Sequence, residues 1–160
     1  MDLQIRPISE DEFLPYMRAI DAAFSETASD EDIERERRMA ELDRCFAAFD
    51  GPEIVGTAAA FTMPMTVPGA EIEIGFVTMV AVRPTHRRRG VNTALMRRQL
   101  DEAHERGEVV EVLHASEGGI YGRYGYGLAT YGLSIEIETA RSAFARGSEP
   151  AGELRLVPRD

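Results

Sequence analysis

The sequence lacks several features that define whole classes of protein. Its 160 residues include one cysteine, Cys45, and neither tryptophan nor lysine. A single cysteine excludes an internal disulfide and a multi-cysteine zinc site, and the three histidines have no metal-ligand spacing, so we expect no metal. No apolar run approaches the roughly 18 residues that span a bilayer. The first residues lack the basic and apolar regions of a secretory signal, which favours a cytoplasmic location.

Two phosphate-binding motifs are also missing. The sequence contains no Gly-Lys-Ser or Gly-Lys-Thr of a P-loop, and no G-x-G-x-x-G follows a predicted strand. Nucleoside triphosphates and NAD are therefore poor candidates for the ligand.

Acidic residues outnumber basic ones, and the excess is unevenly distributed. The net charge is −10, from 28 Asp and Glu residues against 18 arginines. Residues 1–50 carry −8, whereas residues 77–100 carry +6. Because nucleic-acid binders usually present a net basic face, we expect no nucleic acid, and no membrane, as a partner. The pattern favours an anionic ligand at the arginine-rich segment and a cationic partner elsewhere. A surface that merely confers solubility is the alternative.

Apolar periodicity predicts a mixed α/β domain. Alternating or continuous apolar runs between turn residues predict strands at residues 3–8, 44–49, 54–63, 71–82, 109–115 and 128–137. Apolar positions at helical spacing predict helices at residues 9–24, 29–42, 90–106 and 120–124. We therefore expect a mostly antiparallel, twisted sheet of six to seven strands flanked by about four helices.

The end of the chain has a different pattern. Residues 147–152 have the Gly, Ser and Pro content of a linker, and residues 153–157 resume a short strand-like pattern. We therefore expect one domain over residues 1–146, followed by a linker and the start of a truncated further domain over residues 147–160.

The segment from Val80 to Val91 carries the clearest chemical signal. An apolar strand leads into a turn with three consecutive arginines, Arg87 to Arg89, and a helix is predicted to start at Gly90. The first turn of a helix presents unpaired N–H groups and a positive dipole end, and arginine adds charge-assisted contacts. This order of strand, arginine turn, glycine and helix predicts a diphosphate site, with a solvated basic turn as the alternative.

Two stretches of the sequence resemble a known family. Arg87-Arg88-Arg89-Gly90-Val91-Asn92 resembles the acetyl-CoA pyrophosphate loop of the GCN5-related N-acetyltransferases (GNAT), Gln/Arg-x-x-Gly-x-Gly/Ala, although Asn92 replaces the final Gly or Ala. Residues 80–82, 84–90 and 114–127 are together similar to the N-terminal domain of the enhanced intracellular survival (Eis) aminoglycoside acetyltransferases, in which that final position is relaxed. The closer similarity covers about residues 76–135.

The resemblance implies a GNAT fold and a role for each matching residue. Tyr121 would be the general acid that protonates the departing CoA thiolate, which suits a phenol with a pKa of about 10. The backbone of Val80, Ala81 and Val82 would bind the pantetheine arm of acetyl-CoA. The diphosphate would be held by Arg88, Arg89, Gly90, Val91, Asn92 and Thr93, and the cofactor pocket completed by Ser116 and Glu117.

Other candidate residues have competing interpretations. His114 lies on a predicted buried strand, where a packed core histidine is favoured over a general base. The remaining tyrosines between residues 124 and 131 are expected to pack in the core or at its rim. Glu71, Glu73 and Glu117 could attract a cationic amine, although surface solvation is favoured for Glu71 and Glu73. In the Eis family the general base stands at the end of a much longer chain, so no residue here is assigned to it.

The sequence thus predicts acetyl transfer from acetyl-CoA to a primary amine, such as that of an aminoglycoside or a lysine side chain. One alternative is a non-catalytic acetyl-CoA-binding module or an inactive truncated fragment of a longer Eis-like enzyme. Another is a nucleic-acid or anionic-surface binder that uses the arginine turn, which the net charge disfavours. A homo-oligomer is left open for the full-length chain.

Overall fold

Five strands form one sheet, in the order in which they occur along the chain. The structure, a computed structural model, describes residues 3–143, 152, 155 and 156, which fall into two units, Met1–Gly127 and Leu128–Asp160. Four strands are antiparallel neighbours, namely β1 (Gln4–Pro7), β2 (Cys45–Asp50), β3 (Glu53–Val67) and β4 (Ala70–Val82). The fifth, β5 (Glu111–Leu113), runs parallel to β4. The mixed, mostly antiparallel fold class is therefore confirmed.

The described part of the first unit contains three α-helices, which are α1 (Phe13–Phe24), α2 (Asp30–Met39) and α3 (Val91–Arg106). Ser29 begins α2 with a capping box, in which its hydroxyl accepts from the Asp32 N–H while the Asp32 carboxylate accepts from the Ser29 N–H. The helix therefore starts with two of its N–H donors satisfied by side chains.

The side chains of β2 alternate between two apolar clusters. Cys45, Ala47 and Phe49 pack in one cluster with α1, whereas Phe46 and Ala48 pack in another with α3. Successive side chains of a strand point to opposite faces, so a strand that is apolar throughout needs a helix on each face. The two helices α1 and α3 meet that need.

The helix α3 packs closely against β3 because Gly56 has no side chain. A Cβ at Gly56 would lie 2.7 Å from Val91 Cγ1 and 2.9 Å from Leu95 Cδ1, both of which belong to buried residues of α3. Gly56 faces Val82 in the β3–β4 register. The start of α3 is thereby fixed beside the end of β4.

A buried ion cluster ties the start of β2 to the far end of α3. Arg44 has no exposed surface, and its guanidinium donates to the Glu108 carboxylate at 2.6 and 2.8 Å. It also donates to the Thr62 hydroxyl at 2.9 Å and to Glu102 at 3.3 Å. Because an unpaired charge is costly in the interior, this arginine and its acceptors have to stay together. The cluster holds the connection from α3 to β5 on the sheet.

The described chain has fewer strands and α-helices than the sequence predicts. Residues 128–137, predicted as a strand, lie in neither helix nor strand, and residues 120–124 give a 3-10 turn, Tyr121–Tyr124, instead of a helix. The predicted buried strand at 109–115 is shortened to β5, whose side chains are only half-buried. An alternating pattern gives a strand only where a neighbouring strand supplies hydrogen bonds. Leu133, Ile135 and Ile137 are instead 83%, 72% and 65% exposed.

The predicted domain boundary falls where little of the chain is described. The predicted linker at 147–152 and the strand-like residues 153–157 lie largely outside the described residues, so the boundary at residue 146 stays a prediction. Within the described ranges, no helix is long and apolar enough to cross a bilayer.

Candidate active site

A bulge interrupts β4 close to its carboxyl end. The register of β3 and β4 shifts between Thr57 and Ala59, so that Met79 and Val80 together oppose one residue of β3. Met79 has a φ of +53°, a left-handed conformation that is uncommon for residues other than glycine. The bulge therefore changes the backbone direction of β4 at the start of the segment predicted to bind pantetheine.

The strand β5 ends beside β4 just before this bulge. The β4–β5 pairing stops at Val77, which faces Leu113. In the described part of the chain, no strand continues alongside Val80, Ala81 and Val82 on that side. A strand edge of this kind can bind an extended ligand through its backbone, as it would bind an added strand.

The arginine turn follows β4 directly and leads into α3. A 3-10 turn, Pro84–His86, precedes Gly90, which has a φ of +84° and stands one residue before α3. A Cβ at Gly90 would meet nothing within 4 Å, so the space beside the helix start is open. No side chain of the described residues caps α3, whereas Ser29 caps α2. The first N–H groups of α3 are therefore available to an anion.

The three arginines of this turn have different surroundings. The Arg87 guanidinium points back into the fold and donates to the carbonyl oxygens of Ala23 at 3.2 Å and Val82 at 3.4 Å. Arg88 and Arg89 are exposed, and neither forms an ion pair with a described acidic residue. Arg88 and Arg89 are therefore the arginines of the turn that are available to a diphosphate.

A tyrosine links the first turn of α3 to the 3-10 turn that carries Tyr121. The Tyr124 hydroxyl accepts from Asn92 Nδ2 at 3.1 Å and lies 3.2 Å from Thr93 Oγ1. Val91 is buried in the core. The side chains of residues 91–93 are thus engaged within the protein. Because these residues form the first turn of α3, their backbone N–H groups are the part that can bind an anion.

A cavity of about 880 Å³ lies beside the bulge of β4. Met79 and Val80 line it from β4, and His114, Ser116 and Tyr121 line it from the segment that follows β5. His114 is exposed rather than packed in the core, because β5 ends one residue earlier. The structure thus brings the bulge and the segment after β5 around one cavity.

Tyr121 is buried at the wall of this cavity. It is 9% exposed, and its ring meets that of Tyr126 edge-on, with ring centroids 6.0 Å apart and planes at 74°. Burial raises the pKa of the Tyr121 phenol above its ordinary value, and Tyr124 and the exposed Glu117 nearby act in the same direction. The phenol therefore keeps its proton at neutral pH, as a general acid must.

Tyr126 is held by hydrogen bonds as well as by packing. Its hydroxyl donates to Glu111 Oε2 at 2.7 Å, and Glu111 Oε1 accepts from Gln99 Nε2 at 3.3 Å. Tyr124 and Tyr126 belong to the apolar cluster around Tyr121, as expected. Tyr131 is 85% exposed, and its predicted packing is wrong because residues 128–138 form no strand to hold it.

An acidic wall of the cavity was missed by sequence reasoning. It consists of Asp21, Glu26, Asp32 and Glu36 from the α1–α2 region. Asp21 and Asp32 are engaged by local hydrogen bonds, whereas Glu26 and Glu36 form no ion pair with a described arginine. The available signal was the −8 charge of residues 1–50, but that charge did not indicate which acidic residues face β4.

The two glutamates that the sequence singled out lie elsewhere. Glu71 and Glu73 are exposed on the β3–β4 hairpin and do not line the cavity. Apolar side chains share the cavity with the acidic wall, including Phe24, Phe61 and Phe76. The cavity therefore suits a ligand that has both cationic and apolar parts.

Cys45 does not line the cavity. Among the described residues, no three His, Cys, Asp or Glu side chains lie together in a way that could hold a metal ion. Burial raises the pKa of the Cys45 thiol to about 12, so it is protonated at neutral pH.

The same domain occurs in proteins of a known family. Residues 4–129 match the acetyltransferase (GNAT) domain. The chain belongs to the GNAT family. It is 42% identical to an uncharacterized N-acetyltransferase of Streptomyces avermitilis over an alignment of 167 residues, which covers 100% of this chain and 40% of that protein. It is 45% identical to N-acetyltransferase Eis of Mycobacterium tuberculosis over 116 residues, which cover 67% of this chain and 28% of that protein.

The GNAT assignment extends to solved structures. Eis1 from Mycobacterium abscessus superposes with a TM-score of 0.72 at 37% identity, covering 81% of this GNAT chain and 32% of Eis1. The resemblance to the N-terminal part of Eis proteins is therefore confirmed. The chain spans 40% or less of the length of these relatives.

Proposed function

We propose that this GNAT chain transfers the acetyl group of acetyl-CoA to a primary amine held in the cavity beside β4. The observation that carries the proposal is that a strand edge, a protonated phenol and several carboxylates lie around the same cavity. Val80 lies on a strand edge beyond the last β4–β5 pair of the described chain, Tyr121 is a protonated phenol, and the acidic wall can attract an amine.

The residues present fit the parts of acetyl-CoA. Arg88 and Arg89 are exposed and unpaired within the described chain, and the uncapped start of α3 beside Gly90 offers N–H donors, which together suit a diphosphate. The backbone of Val80 to Val82 suits the amide groups of the pantetheine arm. When bound, acetyl-CoA supplies an acetyl group activated as a thioester.

The acceptor that suits the cavity is a polycationic amine, such as an aminoglycoside or a lysine-rich peptide. Glu26 and Glu36 lie at the cavity without a described arginine partner, so they can pair with ammonium groups of the acceptor. The amine that reacts has to be neutral, and the other amines of a polycation can stay protonated and bind the acidic wall. This division of roles orients the reacting nitrogen toward β4.

We assign the role of general acid to Tyr121, because its protonated phenol lines the cavity. As the amine nitrogen bonds to the acetyl carbon and the C–S bond breaks, Tyr121 donates its phenolic proton to the sulfur. The amine nitrogen releases its own proton to water, and the Tyr121 phenolate then takes a proton from water, so that the products are the amide and free CoA thiol.

A second candidate function is acetyl-CoA binding without turnover. It corresponds to the case in which none of the described residues that line the cavity accepts the amine proton. Release of free thiol in the presence of acetyl-CoA and a polyamine supports transfer, whereas binding without thiol release supports this second function.

The primary test is a pair of charge-matched variants. Arg88→Ala combined with Arg89→Ala should weaken CoA binding in calorimetric titration by about tenfold or more, because a hydrogen bond to a charged group contributes about 1.5–3 kcal/mol. Arg38→Ala combined with Arg97→Ala removes the same charge from exposed positions outside the turn and should leave the affinity unchanged. Equal affinities in the two double variants would contradict the proposal.

A further inference from the structure

Thr57 lies inside β3, directly beside the bulge of β4. It is completely buried, and its hydroxyl donates a hydrogen bond of 2.7 Å to the carbonyl oxygen of Met79. The contact thus runs from a side chain of one strand to the distorted backbone of the next. The chemistry proposed above assigns no role to Thr57.

This hydrogen bond fixes the orientation of one peptide plane. The Met79 carbonyl and the Val80 N–H belong to the same trans peptide, in which C=O and N–H point in opposite directions. Because the Met79 carbonyl points toward Thr57 of β3, the Val80 N–H points away from β3. On that other side of β4 the pairing with β5 has already ended, at Val77.

The hydroxyl also offsets the unfavourable features of the bulge. Met79 has a left-handed φ of +53°, which is disfavoured for residues with a Cβ, and Met79 and Val80 have no partner residues in the β3–β4 register. A buried carbonyl without a donor is also unfavourable. Without the hydroxyl, the Met79–Val80 peptide is free to rotate toward ordinary pairing with β3. The Val80 N–H would then point toward β3 and away from the open edge of β4.

We infer that Thr57 is a positioning residue, whose hydroxyl holds the Met79–Val80 peptide so that the Val80 N–H donates to a carbonyl group of the acetyl-pantetheine arm. The inference rests on the proposed function, since it requires acetyl-CoA to lie along this edge of β4. Thr57 acts through the backbone and does not touch the ligand.

The test compares the parent threonine at position 57 with valine and serine, and it uses one variant at position 66 as a control. Thr57→Val keeps the volume and removes the hydroxyl, Thr57→Ser keeps the hydroxyl, and Thr66→Val makes the same exchange at an exposed position of β3. Acetyl-CoA affinity is measured by calorimetric titration, and the thermal midpoint is measured for each variant. We expect Thr57→Val to lose about five- to tenfold in affinity, because one oriented hydrogen bond is lost. Thr57→Ser and Thr66→Val should stay within about twofold of the parent chain.

The outcomes separate this inference from the proposed function. If Thr57→Val folds and binds acetyl-CoA as the parent does, the inference is wrong and the proposed function is untouched. If Thr57→Ser loses as much affinity as Thr57→Val, packing rather than the hydroxyl is responsible, and the inference is also wrong. If the parent chain does not bind acetyl-CoA, the proposed function itself fails. If Thr57→Val does not fold, Thr57→Ala replaces it in the same comparison with Thr57→Ser.

Discussion

A phenol in water has a pKa of about 10, and the surroundings of Tyr121 raise the pKa of its phenol above that value. Burial disfavours the phenolate, and the carboxylate of Glu117 and the nearby Tyr124 add to that effect. A group whose pKa is raised keeps its proton up to a more alkaline pH than usual. Tyr121 therefore stays a proton donor at neutral and mildly alkaline pH.

Replacement of Tyr121 by phenylalanine should separate binding from catalysis. Tyr121→Phe keeps the ring that packs edge-on against Tyr126 and removes the transferable proton. We expect kcat to fall by about 10²-fold or more, as for loss of a general acid, with CoA affinity within about twofold of the parent. Steady-state kinetics and calorimetric titration measure the two quantities.

The pH profile of the parent chain gives an independent check on Tyr121. Because its pKa is raised, kcat should show no descending limb between about pH 7 and pH 9.5. A descending limb near pH 8 that disappears in Tyr121→Phe would mean that the pKa is lowered instead, and it would contradict the assignment.

The Tyr124 hydroxyl links two segments that are proposed to bind acetyl-CoA and that belong to different elements. It contacts Asn92 and Thr93 in the first turn of α3 and belongs to the same 3-10 turn as Tyr121. Tyr124→Phe should loosen this link and reduce kcat/KM for acetyl-CoA by about three- to tenfold, the effect of one or two hydrogen bonds. Tyr131→Phe removes a hydroxyl from a tyrosine that is 85% exposed and should leave kcat/KM unchanged. Equal kinetics for the two variants would show that the contact has no part in cofactor use.

The ion cluster of Arg44 should matter for stability rather than for chemistry. Arg44→Met removes the arginine partner of the Glu108 carboxylate and leaves Glu102 paired with Arg106 alone. We expect the free energy of unfolding in urea to fall by about 3–5 kcal/mol, the usual effect of breaking a buried ion pair. Adding Glu108→Gln to Arg44→Met should restore part of that loss, because it removes the charge that has lost its partner. A loss below about 1 kcal/mol for Arg44→Met would contradict this account.

Elements whose causes are local could be predicted from the sequence. The arginine turn and α3 follow from consecutive residues, and the structure has both where they were expected. The β2–β3 hairpin around Gly51 also follows from its own turn residues. The strand at residues 128–137 could not be decided in this way, because an alternating apolar pattern does not contain its pairing partner.

Site features that depend on distant residues were not visible in the sequence. The bulge at Met79 carries no glycine to mark it, and its support comes from Thr57, 22 residues earlier. The role of Tyr124 depends on Asn92, 32 residues away, so the sequence supported nothing beyond packing. In both cases a side chain of ordinary type acquires its role from a neighbour that the fold supplies.

The distribution of charge along the chain suits the two substrates that we propose, one anionic and one cationic. Residues 77–100 carry +6 and include the turn proposed to bind the diphosphate, whereas residues 1–50 carry −8 and supply the acidic wall of the cavity. Opposite charges at separate places let each substrate be attracted to its own part of the site. The net charge of −10 is therefore less informative than the position of each charged segment.

This arrangement predicts that acceptor charge is sensed at the cavity and not by the net charge of the protein. Glu26→Gln combined with Glu36→Gln should raise KM for a polyamine such as spermine by about three- to tenfold, because two charge pairs are lost, one at the exposed Glu26 and one at the half-buried Glu36. KM for a simple monoamine should change by less than about twofold. Glu71→Gln combined with Glu73→Gln alters the net charge equally on the exposed β3–β4 hairpin and should leave both KM values unchanged. An equal rise in the two double variants would mean that the overall field attracts the acceptor. The difference in polyamine KM between the Glu26/Glu36 double variant and the parent chain should also become smaller with added salt. Salt screens the attraction between the parent's carboxylates and the polyamine.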